Sequence, residues 1–178
     1  ANTTLDTSLL RFVVLKYCLH LRASSQLQTC GLLSSVSRKT DVNADMTNTT
    51  RPLDGITVLA LEHAVAAPFA SRQLADLGAR VIKIERPGVG DFARGYDKTV
   101  RGASSFFVWA NRGKESLALD LKDDGSDAVL EALLEKADVL IQNLAPGAAS
   151  RMGLDFETLH EKFPRLIVCD VSGYGDNG

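Results

Sequence analysis

Hydrophobic positions in this chain form short runs separated by helical stripes, and the alternation begins at Arg51. Residues 56–61 (ITVLAL) make a continuous apolar run, the signature of a strand covered on both faces. Behind it, Phe69, Leu74 and Leu77 recur at helical spacing, and Gly78 stands where a helix would end. Arg80–Glu85 (RVIKIE) alternates and is β-branched, which predicts a second strand. Two strands joined by a helix within about 30 residues predict a βαβ unit.

The same grammar continues to the end. Residues 87–102 are expected as loop, broken by Gly88, Gly90, Gly95 and Gly102. SFFVWANR fits a short helix or an extended segment. Residues 116–121 (SLALDL) are expected as a strand. Residues 123–137 are expected as a helix capped by Ser126, with Val129, Leu130, Leu133, Leu134 and Ala137 on one face. DVLIQN reads as a strand ending at Asn143, APGAASRMG as loop or short helix, and FETLHEKF as a helix stopped by Pro164. RLIVCDVS is the last expected strand. Alternating strands and helices predict an α/β class with a largely parallel sheet.

Residues 1–50 do not share this grammar. They carry Arg11, Lys16, Arg22, Arg38 and Lys39, many Ser and Thr, and only Asp6 as an acid before Asp41. That composition suits an organelle transit peptide, with Leu9, Leu10, Val13, Val14 and Tyr17 as an apolar helical face. The other reading starts the globular chain near Met46 and treats the upstream residues as disordered or artefactual. Mitochondrial and cytoplasmic locations both stay open. The expected organisation is therefore 1–50 as a leader-like segment and 51–178 as one globular unit. The apolar run at 12–15 is too short to cross a bilayer, so no membrane partner is expected.

At 178 residues with 45% hydrophobic and 24% charged residues, a globular core is available without disulfides. Cys18, Cys30 and Cys169 have no metal-ligand spacing, and so sparse a set points to a reducing compartment. The net charge of −2 conceals an asymmetry. Residues 80–122 hold nine Lys/Arg against five Asp/Glu, whereas residues 123–178 hold four against eleven. A basic middle suits an anionic ligand with several phosphates. Acidic interruptions and few interleaved aromatics argue against nucleic acid.

In open parallel sheets, ligands collect at the carboxyl ends of strands. After the first strand comes a glycine-free small-residue turn, Glu62 to Pro68, with His63 lacking any visible Ser or Cys partner. After the second come Glu85 and Arg86. An acid there can hold a ribose, but G-x-G-x-x-G is missing, which weakens a nicotinamide reading. An arginine there favours phosphate oxygens. Asn111, Arg112, Lys114 and Lys122 form a candidate cationic cluster around the third strand. Asn143, Pro146, Gly147 and Arg151 form another after the fourth. No zinc spacing, Walker motif or nucleophile elbow appears, so no metal is expected.

Taken together, PLDGITVLALEHAVAAPFASRQLADLGARVIKIERPGVGDFARG, NRGKESLALDLK, ADVLIQNLAPGAASRMGL and PRLIVCDVSGYG resemble the class III CoA-transferases. The resemblance covers residues 51–178. It implies a Rossmann-like large domain, a small domain, an interlocked homodimer, and enzymes that move coenzyme A between carboxylic acids. The acyl-CoA racemases share this half. The resemblance places CoA contacts at Ala64, Val65, Ala66, Arg86, Leu119, Lys122, Asn143, Leu144 and Arg151. The LEHAVAAPF variant is most similar to members acting on small dicarboxylic acids, such as succinyl, mesaconyl, itaconyl or citramalyl groups. Where the family usually reads NFRPG, Leu144 and Ala145 stand here, which removes one cation and implies a looser hold on CoA. The family's nucleophile is an aspartate several tens of residues beyond the SGYG turn, whose carboxylate attacks the donor thioester. Neither Asp170 nor Asp176 occupies that motif, so no catalytic residue is assigned. These residues alone are expected to be inactive, a CoA-binding N-terminal part or a truncated non-catalytic product.

Overall fold

The computed structural model describes residues 50–173 and 175. Residues 1–49 of the expected leader-like segment, with Cys18 and Cys30, and Asp176 lie outside the described residues.

Five strands are described: β1 (Thr57–Leu61), β2 (Arg80–Glu85), β3 (Lys114–Ala118), β4 (Val139–Gln142) and β5 (Ile167–Asp170). They form one all-parallel sheet in the order β3-β2-β1-β4-β5. The helices between them are α1 (Ala66–Asp76), α2 (Ser105–Asn111), α3 (Ser126–Leu134), α4 (Ala148–Arg151) and α5 (Phe156–Lys162). A 3-10 turn, Phe92–Gly95, interrupts the long loop after β2. This is an α/β, Rossmann-like fold. The chain steps outward from β1 to β3 and then crosses to β4 on the other side of β1. That reversal splays the connections apart and opens a crevice at the carboxyl edge.

Pairing registers decide which side chains share a face. Leu59, Ile82 and Leu140 are aligned neighbours, and Leu61 and Ile84, two residues further along β1 and β2, share their face. They pack with Leu130, Leu134, Leu154, Leu159 and Leu166 in the main core, so α3 and α5 cover this face. The opposite face carries Val58, Val81 and Val139 at its centre and lies under α1, which buries Ala67, Leu74 and Ala75. Both faces are therefore covered, as the unbroken apolar runs require.

Most expected elements lie close to their predicted places, with informative differences. β1 begins at Thr57, and SFFVWANR is helical, with Ser104 Oγ accepting from Phe107 N at 3.4 Å. β3 runs Lys114–Ala118 rather than 116–121. It is an edge strand with one neighbour, so apolar content does not mark its ladder. Leu117, Leu119 and Leu121 instead mark where the chain touches the core and the crevice. In α3, Ser126 is the first helical residue and Gly125 holds the cap position without a side-chain bond. Ser126 Oγ donates to the Asp123 carbonyl at 2.8 Å. Val129, expected on the apolar face, is 43% exposed. Gly78 ends α1 with φ +109°, and a Cβ there would meet Asp54 and Arg51 within 2.7 Å. Only glycine fits both constraints.

Truncating Leu140, fully buried between β1 and β5, to alanine is expected to cost about 2–5 kcal/mol. Val129→Ala is expected to stay within about 0.5 kcal/mol. Urea unfolding of both variants checks the difference.

Candidate functional site

A cleft of about 380 Å³ opens at the carboxyl edge of the sheet. Leu61 and Ile84, near the ends of β1 and β2, and Leu119, the residue just after β3, form an apolar lining. Leu144, Ala148 and Met152 close it from the β4–α4 side. Arg86, Lys122 and Arg151 bring three cations to the polar lining, beside His63 and the acids Glu85 and Asp120. Among the described residues, none of those three cations is in an ion pair. An apolar slot edged by uncommitted cations can take a ligand that is flat or extended and heavily anionic.

The chain brings the predicted residues together unequally. Arg86, Leu119, Lys122, Leu144 and Arg151 all line the cleft, although they lie up to 65 positions apart. Asn143 does not line it. Its Oδ1 accepts from His63 N at 2.8 Å and its Nδ2 donates to His63 O at 2.9 Å, so it clamps the first turn. Ala64 and Val65 are half-buried and Ala66 is exposed as the first residue of α1. They follow His63 in the chain but lie outside the cleft lining. The cationic cluster proposed around β3 is dispersed. Arg112 pairs with Asp76 at 2.9 Å and Lys114 with buried Glu62 at 2.6 Å, so of that cluster Lys122 lines the cleft.

Glu85 is not poised for a ribose. Oε1 accepts from Arg94 Nε and from Asp91 N, while Oε2 accepts from Arg94 Nη2 and Ser116 Oγ. Burial is the largest single influence on this carboxyl and pushes upward. The bonds from Arg94, Ser116 and Asp91 together outweigh it and hold the carboxyl down at about 2. Gly90 is required by the same packing. Its φ is +64°, and a Cβ would strike Arg94 and Glu85 at under 3.0 Å. His63 stacks on Phe92 with centroids 5.6 Å apart. Burial depresses its pKa first, with Asp91 opposing and Lys83 and Arg86 adding to the depression. No nucleophile stands beside it.

Beneath the first turn lies an ionic array that the sequence reading missed. Glu62, Ser71, Lys83 and Asp91 are all buried. Lys83 Nζ reaches Asp91 Oδ2 at 2.8 Å and the Glu62 carbonyl at 3.2 Å. Ser71 Oγ donates to the Glu62 carboxylate, and Lys114 Nζ to Glu62 Oε1, the Pro68 carbonyl and Asn111 Oδ1. Desolvation dominates at Lys114 and lowers its pKa to about 8, despite the pull of Glu62. A usable signal was present: a lysine inside a strand buried on both faces must find an acid. Among the described residues, no group of His, Cys, Asp and Glu is placed to hold a metal, and no helix is long and apolar enough to cross a membrane.

A parallel α/β sheet with a cation-edged crevice at its switch point defines the class: a Rossmann-like α/β fold. Comparison with known proteins narrows it. The profile of CoA-transferase family III matches residues 53–178, and the chain belongs to that family. It is 46% identical over 127 residues to acetyl-CoA:oxalate CoA-transferase of Acetobacter aceti, covering 71% of this chain and 33% of that protein. It is 40% identical over 136 residues to succinyl-CoA:glutarate CoA-transferase of Homo sapiens, covering 76% and 31%. Among solved structures, Rv3272 from Mycobacterium tuberculosis superposes with a TM-score of 0.67 at 37% identity, over 74% of this chain and 36% of that one. A CAIB/BAIF family protein from Brucella suis gives 0.67 at 35% identity, over 72% and 35%. The chain thus spans about a third of the length of the curated relatives it matches.

Glu85 has a folded pKa well below its ordinary 4.5, so its stabilising effect is complete above that value and fades as pH falls toward 2. Urea midpoints from about pH 6 to about pH 2.5 should fall more steeply for the wild type than for Glu85→Gln. Lys114→Met strips the buried Glu62 carboxylate of its shortest ion pair and should cost about 3–5 kcal/mol in the same assay.

Proposed function

We propose that the cleft binds coenzyme A, and that residues 51–178 are the CoA-binding part of an enzyme moving CoA between carboxylic acids. The observation that carries this reading is the pairing of an apolar lining with three cations outside any ion pair. CoA matches it in kind: an adenine and a pantetheine arm for the apolar surface, and phosphates for Arg86, Lys122 and Arg151. The first turn, Ala64 to Ala66, offers backbone at the start of α1, and Asn143 holds that turn in place through His63. Leu144 contributes apolar surface. Ala145 is exposed where the family's common motif has arginine, so phosphate binding rests on fewer cations here.

For the whole enzyme, we take the donor to be the thioester of a small dicarboxylic acid such as succinyl-CoA, and the acceptor another small organic acid. Two relatives, acting on glutarate and oxalate, support a small dicarboxylate on one side of the exchange. The working enzyme is a homodimer in this reading. In this reading residues 51–178 supply the binding of CoA. The nicotinamide alternative loses its main residue, because both Glu85 oxygens are already engaged.

Titration calorimetry with CoA tests the binding. The wild-type chain should give saturable heat that weakens with added salt, and Arg86→Ala, Lys122→Ala and Arg151→Ala should each lower affinity about tenfold, roughly 1.4 kcal/mol. Undiminished affinity in the triple variant would falsify the assignment. For the whole enzyme, incubation with succinyl-CoA and a labelled small diacid should place label in a new thioester. Stereochemical inversion of an acyl-CoA without exchange would identify a racemase instead.

A further inference from the structure

Asp91 is 1% exposed, yet its two carboxylate oxygens serve three separate segments. Oδ1 accepts from Ala64 N at 3.2 Å in the turn after β1, and from Ala93 N at 2.9 Å in the 3-10 turn. Oδ2 accepts from Lys83 Nζ at 2.8 Å, inside β2. Ala64 has φ +64°, and the other non-glycine residue with positive φ among the described residues is Arg101. An alanine rests reluctantly in that region and stays there only when its surroundings hold it.

We propose that Asp91 is a positioning residue that locks the first turn, residues 62–66, into its ligand-binding shape. The proposal builds on the CoA reading above. Side chains from outside the turn grip its backbone. Asn143 fixes both backbone atoms of His63, and Asp91 fixes the amide of Ala64. Asp91 also begins the 3-10 turn that carries Phe92, the ring stacked on His63. One carboxylate therefore sets both the turn and the aromatic surface against which His63 rests. Lys83 supports it from below: its ammonium orients Oδ2, so Oδ1 faces the two amides, and it also binds the Glu62 carbonyl at the start of the turn.

The role needs a group with two acceptor oxygens, which an amide lacks. In Asp91→Asn the single carbonyl oxygen goes to the buried Lys83 ammonium, its stronger partner. The NH2 then faces the Ala64 and Ala93 amides, donor against donor. Ala64 is released from its left-handed conformation, and the turn relaxes. Glycine adopts that conformation without being held. Ala64→Gly on top of Asp91→Asn should therefore restore the turn while leaving the loss of the buried ion pair uncorrected.

The test is a cycle of wild type, Asp91→Asn, Ala64→Gly and the double variant, each as the whole chain. Amide hydrogen exchange at Ala64, calorimetry with CoA and a thermal melt are read together. Asp91→Asn should speed exchange at Ala64 and lower CoA affinity about tenfold. The double variant should regain affinity to within about threefold of Ala64→Gly alone, without regaining melting temperature. A purely structural role predicts the opposite: affinity that tracks the melt and does not recover. Unchanged exchange at Ala64 in Asp91→Asn overturns the positioning. Wild-type chain that gives no heat with CoA sinks the cofactor reading instead, and the two failures are distinct because exchange at Ala64 needs no ligand. If Asp91→Asn does not fold, the Lys83→Met/Asp91→Asn pair takes its place. With no ammonium to claim it, the amide oxygen is free for Ala64, and a tenfold loss of CoA affinity there also overturns the proposal.

Discussion

Lys83 stands in the middle of β2, in a strand whose two faces are both covered, and its ammonium has no route to water. A buried cation of this kind is tolerated only when acceptors surround it closely. Asp91 and the Glu62 carbonyl meet that demand, and Glu62 in turn requires Ser71 and Lys114. Satisfying one misplaced charge thus draws together the end of β1, the start of α1, the loop after β2 and the edge strand β3. The carboxyl edge of the sheet takes its shape from this chain of obligations. Hydrophobic burial builds the sheet, but it does not choose the path of the loops above it.

The electrostatics divide into two zones with different consequences. Below the first turn, every charge has a partner, and Glu85 and Lys114 have pKa values displaced in opposite senses relative to the cost of burial. Four donors outweigh burial at Glu85, whereas burial prevails at Lys114. At the cleft, Arg86, Lys122 and Arg151 make no ion pair among the described residues, although acids are plentiful nearby in sequence. Neighbouring cations behave otherwise: Arg94 and Arg112 are both bound to carboxylates. Cations withheld from available acids are the feature that separates a binding edge from an ordinary charged surface.

Much of the fold was legible from the order of residues. β2 coincides with its predicted bounds, and β1 and β4 with theirs to within a residue or two, because buried parallel strands write themselves as unbroken apolar runs. β3 was misplaced because an edge strand is under weaker compulsion, and its leucines answer to the core and the cleft rather than to the ladder. Of the expected site residues, Arg86, Leu119, Lys122, Leu144 and Arg151 line one cleft. Asn143, expected at the ligand, bonds both backbone atoms of His63, a use that the sequence did not show, since a side-chain amide suits backbone and ligand equally well.

The sequence alone determined the class of the fold, the family, and the set of strand ends from which a ligand site could be drawn, because hydrophobic period and motif order are local and additive. Tertiary structure decided which charges are free. Arg86 and Arg94 are the same residue type eight positions apart, yet one lines the cleft and the other is locked to Glu85. That distinction depends on distances of a few ångströms between segments brought together only by the crossover from β3 to β4 and the loop over β2. Charge in a sequence is a count, whereas in a fold its effect depends on burial and on what stands within hydrogen-bonding reach.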